Sequence, residues 1–118
     1  MKISAIRDLL EANVYCGEGK LDKEVSSVFG CDLMSDVLAY ADDQAVLLTG
    51  LVNPQVIRTA VMMDMVCIVF VRSKAPNDEM IALAKEHGIV MMSTNKTLYN
   101  TCGILYSSGL VGTAEVPK

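Results

Sequence analysis

The stretch Ala45-Val46-Leu47-Leu48-Thr49-Gly50 decides the fold, because its pattern recurs twice further along the chain. Apolar runs also occupy 66–71 and 89–92, and each of the three runs leads into small polar residues and then a helical pattern. The runs begin 21 and 23 residues apart, which leaves room for a helical crossover between parallel strands. The spacing therefore predicts an α/β fold with parallel central strands and right-handed connections.

Polar residues at the carboxyl ends of these strands indicate where a ligand would bind. If the strands are parallel, their outgoing loops meet at one edge of the sheet, where helix N-termini carry free N–H groups and a partial positive charge. One interpretation is an anion site for phosphate, a nucleotide or a carboxylate. The other is that the polar residues only cap helices and the cations are solvated. The candidate ligand-binding residues are Thr49, Gly50, Asn53, Arg72, Ser73, Lys74, Ser93, Thr94, Asn95 and Lys96.

The helices after these strands have recognisable start and stop signals. Asn53 is the expected N-cap of a helix that begins at Pro54, where the missing N–H of proline costs nothing. After the next strand, a helix is expected over 78–87, and Gly88 in the left-handed conformation should end it. The last helix is expected over 96–107.

The first forty residues have weaker periodicity. Ser35 and Asp36 are the expected caps of a short helix there, and Gly30 is expected to break the strand before it. The predicted elements are a helix over 3–12, strands over 14–16 and 24–29, and a second helix within 32–40.

Length and charge exclude several classes of protein. The chain has 118 residues, which is the size of one domain, expected over 1–109 with a tail over 110–118. A net charge of −4 without a basic run argues against nucleic-acid binding. No apolar run reaches the roughly 18 residues of a membrane span, and the N-terminus lacks a signal-peptide pattern. The expected location is the cytoplasm.

The apolar content points to more than a core. Apolar residues make up 52% of the chain, slightly above the usual share. Strands buried on both faces account for part of this excess. A subunit interface accounts for the rest, and we therefore expect a homodimer.

No set of residues forms a recognisable catalytic or metal site. The four cysteines are widely spaced and are expected as reduced thiols in or near the core. His87, the one histidine, has no evident Ser or Cys partner. The sequence over 17–20 lacks the full phosphate-loop pattern and predicts a tight turn. We predict no catalytic residues, no metal and no cofactor. Four carboxylates in the first half of the chain could bind a divalent ion, but helix capping and solubility explain them more simply. They belong to Asp32, Asp36, Asp42 and Asp43.

Short segments along nearly the whole chain carry a family resemblance. They lie at 19–25, 31–38, 46–50 and 89–94. With these segments the chain resembles the DRTGG domain family, which is related to the N-terminal domain of HPr kinase/phosphorylase. It departs from the family signature at two places. Leu51-Val52-Asn53 stands where the family has Asp-Arg, and Arg72-Ser73-Lys74 stands where it has Thr-Gly-Gly.

The resemblance implies a three-layer α/β/α domain with a mainly parallel sheet and no catalysis of its own. In HPr kinase and some phosphotransacetylases such a domain is appended and regulatory. Stand-alone versions that resemble this chain occur near iron hydrogenase and redox-related genes, which implies a sensory or assembly role beside a partner protein.

The sequence therefore favours a non-enzymatic, cytoplasmic regulatory or ligand-sensing domain. It would form a homodimer, bind a nucleotide or another anion at the strand ends, and act through a partner protein. Two alternatives stay open. One is a small enzyme that acts on a phosphorylated substrate clamped by Arg72 and Lys96. The other is a purely structural partner subunit with an apolar surface.

Overall fold

Five strands lie in one mixed sheet in the computed structural model, which describes residues 1–118. Their bounds are β1 Asn13–Cys16, β2 Val28–Gly30, β3 Val46–Thr49, β4 Cys67–Phe70 and β5 Val90–Ser93. The strands lie in the order β1-β5-β4-β3-β2. Strands β2 to β5 are parallel to one another, and β1 is antiparallel to β5. The predicted common direction of β3, β4 and β5 is therefore confirmed.

Five helices cover the two faces of this sheet. Their bounds are α1 Ile3–Leu10, α2 Met34–Tyr40, α3 Pro54–Met62, α4 Asp78–His87 and α5 Leu98–Ser107. Helices α2, α3 and α4 pack on one face, and α1 and α5 pack on the other, so the buried side chains form two separate cores. This is the three-layer α/β/α arrangement that the family resemblance implied.

The central strands are buried on both faces, which explains why the sequence shows them as continuous apolar runs. Every residue of β3, β4 and β5 is buried. Successive side chains alternate between the cores: Leu47 and Ile68 face helices α2 to α4, whereas Leu48 and Val69 face α1 and α5. Full burial of each such side chain stabilises the fold by about 1.5–3 kcal/mol relative to exposure.

The strand predicted over 24–29 was wrong in extent. The strand is Val28–Gly30, and Gly30 is its last residue. Before that point the backbone pairs with the N-terminus, since Val25 N donates to Met1 O at 2.7 Å. A local sequence pattern does not show this contact between distant parts of the chain.

Cap predictions had mixed outcomes. Helix α2 begins at Met34 after Leu33, so Ser35 and Asp36 lie inside its first turn and do not cap it. Asp36 still places a negative charge near the positive end of the helix dipole. Helix α4 ends as predicted, because Gly88 has a φ of 69°, a left-handed value that glycine adopts without strain.

The first and last helices are shorter than predicted. Helix α1 ends at Leu10 because Glu11 adopts a left-handed φ of 52°. Helix α5 begins at Leu98 because the Thr97 hydroxyl accepts a hydrogen bond from Asn100 N at 3.4 Å and so caps the helix there.

The remaining segments are short or irregular. The predicted tight turn at 17–20 is a single turn of 3-10 helix over Glu18–Lys20. Residues 110–118 form no helix or strand, although Leu110 is buried in the core beneath α1 and α5. All four cysteines are free thiols. The longest helices fall well short of the apolar length that crossing a bilayer needs.

Candidate functional site

The loops that leave β4 and β5 lie against each other at the carboxyl edge of the sheet. Arg72 N donates to Lys96 O at 2.9 Å, and Ser73 N donates to Thr94 O at 3.0 Å. The Ser73 hydroxyl lies 2.9 Å from Asn95 Oδ1. The parallel sheet therefore brings together the residues that the sequence analysis expected at one edge, at least for these two loops.

The β3 loop joins this edge through a carboxylate. Asp32, which directly follows β2, accepts hydrogen bonds at Oδ1 from Gly50 N at 2.7 Å and from the Thr49 hydroxyl at 2.9 Å. Its Oδ2 lies 3.7 Å from an Arg72 guanidinium nitrogen. We call Asp32, Thr49, Gly50 and Arg72 the Asp32 cluster. It connects the ends of β2, β3 and β4.

Gly50 makes the cluster possible by its lack of a side chain. A Cβ at this position would overlap the guanidinium group of Arg72. The guanidinium therefore lies directly against the backbone of Gly50, and a larger residue at position 50 would displace the flexible end of Arg72. The glycine thus permits this contact, although its own φ is not in the left-handed region.

The Asp32 cluster keeps its carboxylate ionised. The Gly50 N–H bond lowers the pKa of Asp32, and the Thr49 hydroxyl and the charge of Arg72 add to that effect against an opposing contribution from burial. Donors that stabilise the charged form lower a carboxyl pKa in this way. Asp32 and Arg72 are 46% and 43% exposed, so water and solutes reach both charges.

The backbone at the β4 end is strained. Arg72 and Ser73 have φ values of 58° and 59°, both in the left-handed region. That region costs roughly 1–2 kcal/mol for each residue that has a Cβ. The hydrogen bonds from both amides to the β5 loop hold the conformation, and it turns the Arg72 side chain back toward Gly50.

Two of the three candidate cations at this edge are already paired. Arg72 faces Asp32, and Lys96 Nζ lies 3.3 Å from a Glu11 carboxylate oxygen. Lys74 is exposed and forms no ion pair. Both existing pairs are solvent-exposed, and exposed pairs contribute only about 0–1 kcal/mol. Neither ion pair therefore contributes much to the stability of this edge.

The end of β5 has a structural role. The Thr94 hydroxyl donates to Leu10 O at 2.7 Å and anchors the end of α1, and the Ser93 hydroxyl lies 3.4 Å from Tyr15 Oη. Both residues are buried. Of the β5 candidates, Asn95 and Lys96 have side chains that reach the surface.

Asn53 occupies the N-cap position of α3 but does not cap it with its side chain. Its backbone is extended, with φ −159°, and no side-chain capping bond forms. Its Oδ1 is buried without a hydrogen-bond partner. The amide of Val56 in the first turn of α3 donates instead to the backbone carbonyl of Asn53 at 3.1 Å. The prediction was correct for the backbone position and wrong for the side-chain bond.

The edge is shallow. Four surface hollows indent the protein, and among the candidate residues only Asn95 and Lys96 line one of them. That hollow, of about 800 Å³, runs along the outer side of α5. The Asp32 cluster is therefore an open patch and not an enclosed cavity.

Asp32 was not among the residues that the sequence predicted for this site. It was expected only as a cap or as an ion ligand. Its position carries a usable signal, because Asp32 follows a parallel strand and so belongs to the same edge as Thr49 and Arg72. The parallel direction was predicted only for the three central strands, so Asp32 was not placed at their edge.

No three His, Cys, Asp or Glu side chains lie close enough together to hold a metal ion. Burial raises the pKa of the thiols of Cys16, Cys67 and Cys102, so these cysteines are protonated at neutral pH and are poor nucleophiles.

Comparison with known proteins identifies the family. The model of the DRTGG domain matches residues 5–108. The chain belongs to the DRTGG domain family. No curated protein matches the chain. Ser73, which the resemblance placed opposite a glycine of the family signature, has a left-handed φ of 59° that glycine adopts without strain.

A solved structure shares this DRTGG fold. It is the crystal structure of the CBS and DRTGG domains of the regulatory region of Clostridium perfringens pyrophosphatase, complexed with its activator, diadenosine tetraphosphate. The TM-score is 0.75 at 13% sequence identity, and the match covers 98% of this chain and 52% of that chain. The DRTGG domain described here thus spans about half the length of that solved chain, and the likeness is one of fold.

Proposed function

We propose that this DRTGG domain is a non-enzymatic regulatory domain that senses a nucleotide or another anionic ligand at the carboxyl edge of its sheet. The observation that carries the proposal is the position of Arg72. Its guanidinium lies at the junction of three strand ends, is half-exposed, and is held by a single weak ion pair. The pyrophosphatase regulatory region, which combines a DRTGG domain with CBS domains and binds a dinucleotide activator, supports a nucleotide as the ligand.

The proposed mechanism is an exchange of partners at Arg72. A phosphate group accepts two hydrogen bonds from the guanidinium and displaces the Asp32 carboxylate, which lies 3.7 Å away. Asp32 keeps its bonds to Gly50 and Thr49, so the strand ends stay in register while the loop before α2 loses one restraint. Occupancy would thus shift the population of loop conformations that a partner protein meets.

Lys74 and Lys96 would complete the ligand shell. Lys74 is free, and Lys96 is released from Glu11 at little cost because Glu11 is 82% exposed. Three cations around one edge favour a polyphosphate over a single carboxylate, because each phosphate carries more charge than a carboxylate.

The test is a titration of the purified protein with ADP, ATP, diadenosine tetraphosphate and pyrophosphate at low ionic strength, followed by calorimetry. Arg72→Ala should weaken binding about ten- to hundredfold, since a hydrogen bond to a charged group contributes about 1.5–3 kcal/mol. Arg58→Ala is the matched control, because Arg58 is exposed on α3 and forms no ion pair.

Two results would contradict the proposal. The first is the absence of binding by every probe at millimolar concentration. The second is equal affinity for wild type, Arg72→Ala and Arg58→Ala, which would move any anion site away from the edge. Hydrolysis of a bound probe would favour the alternative of a small enzyme, whereas a complete lack of ligand would favour the structural-subunit alternative.

The wider context is a further part of the proposal. We place the domain in the cytoplasm beside a partner protein, in the redox or hydrogenase setting that the family resemblance implied. Free thiols fit a reducing compartment. Isolation of partners with wild type and with Arg72→Ala, in the presence and absence of ligand, tests this setting.

A further inference from the structure

A hollow extends from the carboxyl edge of the sheet along the outer side of α5, and we call it the α5 hollow. Its volume is about 800 Å³, within the range of sites that bind small molecules. Asn95 and Lys96, which belong to the candidate anion site, line the end that lies at the edge. This end is joined directly to the β4 loop, because Arg72 N donates to Lys96 O at 2.9 Å. A ligand whose charged group lies on Arg72 and Lys96 therefore has space beyond that group along α5.

The ring of Tyr99 borders the α5 hollow three residues after Lys96. The tyrosine is 87% exposed, so the chain leaves most of its ring uncovered. Every nucleobase has a π-face that stacks on such a ring, and proteins that hold single-stranded nucleic acid combine aromatic platforms with cations for the phosphates. An exposed tyrosine beside Lys96 offers the same two kinds of contact to a single nucleotide.

Gly103 leaves the floor of the hollow flat one helical turn beyond Tyr99. Tyr99, Gly103 and Ser107 are four residues apart and so form one row on the helix surface. A Cβ at position 103 would meet no atom within 4 Å, so no other part of the chain packs into this space. Glycine is among the least favourable residues inside a helix. The missing side chain gives a planar base room to lie against the helix beside the tyrosine.

Polar groups in the hollow suit the remaining parts of a nucleoside. The Asn100 amide is exposed and makes no side-chain hydrogen bond within the chain. It offers both donors and an acceptor, and base edges present both kinds of partner. Ser107 adds a hydroxyl at the far end of the hollow. This lining suits a base and a sugar better than an acyl chain.

We propose that the α5 hollow is the nucleoside pocket of the anion site, and that the ligand is a purine nucleotide. The phosphates lie on Arg72 and Lys96. The base stacks on Tyr99 beside Gly103, within reach of the Asn100 amide. A purine fits better than a pyrimidine, because its two rings cover more of the tyrosine ring. This inference rests on the proposed anion site and specifies its selectivity, since the edge accepts any polyphosphate and the hollow selects those that carry a base.

The test compares the affinities of the purified protein for ADP, CDP and pyrophosphate, by calorimetry at low ionic strength. Pyrophosphate also carries two phosphates but has no nucleoside. Wild type should bind ADP about ten- to hundredfold more tightly than pyrophosphate, which is the range that stacking of one base provides, and more tightly than CDP. Tyr99→Ala should lose the preference for ADP and keep the wild-type affinity for pyrophosphate. Tyr99→Phe keeps the ring and should retain the preference.

Tyr106→Ala is the matched control, because Tyr106 belongs to the same helix, is 70% exposed and lies outside the α5 hollow. It should bind ADP as wild type does. Equal affinity of wild type for ADP and pyrophosphate would overturn the nucleoside pocket and leave the anion site standing, as would a preference for ADP that persists in Tyr99→Ala. Equal affinity for ADP and CDP would overturn the choice of a purine. Binding of none of the three probes would overturn the anion site together with its pocket.

Discussion

Replacement of Asp32 by asparagine tests whether the carboxylate charge holds the strand ends together. The amide keeps an acceptor oxygen for Gly50 N and the Thr49 hydroxyl, whose hydrogen bonds to Asp32 measure 2.7 and 2.9 Å. It removes the charge. A hydrogen bond to a charged group contributes about 1.5–3 kcal/mol and a neutral one about 0.5–1.5 kcal/mol. The exposed pair with Arg72 adds no more than about 1 kcal/mol.

These contributions are reduced because the Asp32 side chain is 46% exposed, and the expected loss at neutral pH is about 1–2 kcal/mol in the free energy of unfolding. For a domain of this size that lowers the Tm by roughly 4–8 °C. Urea unfolding at pH 7, followed by circular dichroism, measures the difference. Asp43→Asn is the matched control, because Asp43 is exposed and has no hydrogen-bond or ion-pair partner. It should leave the stability unchanged.

The pH dependence provides a second check with a definite sign. The pKa of Asp32 is lowered in the folded state, chiefly by the Gly50 N–H bond. A carboxyl with a lowered pKa stabilises the fold fully above its unfolded pKa of about 3.9, and that stabilisation is lost as the pH falls through the folded value. The gap between wild type and Asp32→Asn should thus narrow below about pH 4. A gap that is absent at pH 7, or that persists unchanged in acid, would refute the assigned role of the charge.

Two further substitutions probe neighbouring features. Asn77→Ala should lower the free energy of unfolding in urea by about 1 kcal/mol, because the Asn77 side chain accepts a hydrogen bond from Met80 N at 2.9 Å. Asn53→Ala should be close to neutral, because the Asn53 side chain makes no capping bond. Equal losses for the two variants would contradict this contrast. Gly50→Ala should displace the Arg72 guanidinium and weaken pyrophosphate binding about tenfold or more, while the fold persists. An unchanged affinity in calorimetry would show that the contact between Arg72 and Gly50 is unimportant for binding.

The central fold was predictable because its signal is local. Strands such as β4, buried on both faces, must be apolar throughout, and the spacing between them admits little besides helical crossovers. The meeting of the outgoing loops at the carboxyl edge of the sheet followed from the direction of the strands alone. The extent of β2 was not predictable, because the segment before Val28 pairs with the N-terminus, a long-range contact that a local sequence pattern does not show.

The candidate site was predictable in position and not in chemistry. Strand ends identify Thr49, Gly50 and Arg72, since the rule concerns backbone direction. The contacts among them depend on side-chain reach: Asp32 enters from a loop 18 residues before Gly50, and the guanidinium lies flat on a glycine. The missing side-chain cap at Asn53 also depends on side-chain orientation. A sequence shows which residue can cap a helix, but not whether its side chain makes the capping bond.

Backbone strain at the end of β4 bears on the proposed function. Arg72 and Ser73 both hold left-handed φ values, at a combined cost of roughly 2–4 kcal/mol for two residues that carry a Cβ. Relaxation to an ordinary conformation would swing Arg72 away from Gly50 and break two backbone bonds to the β5 loop. Backbone strain that persists beside an open, charged patch is typical of functional sites. The strain therefore supports the proposal that Arg72 is the central residue of an anion site at this edge.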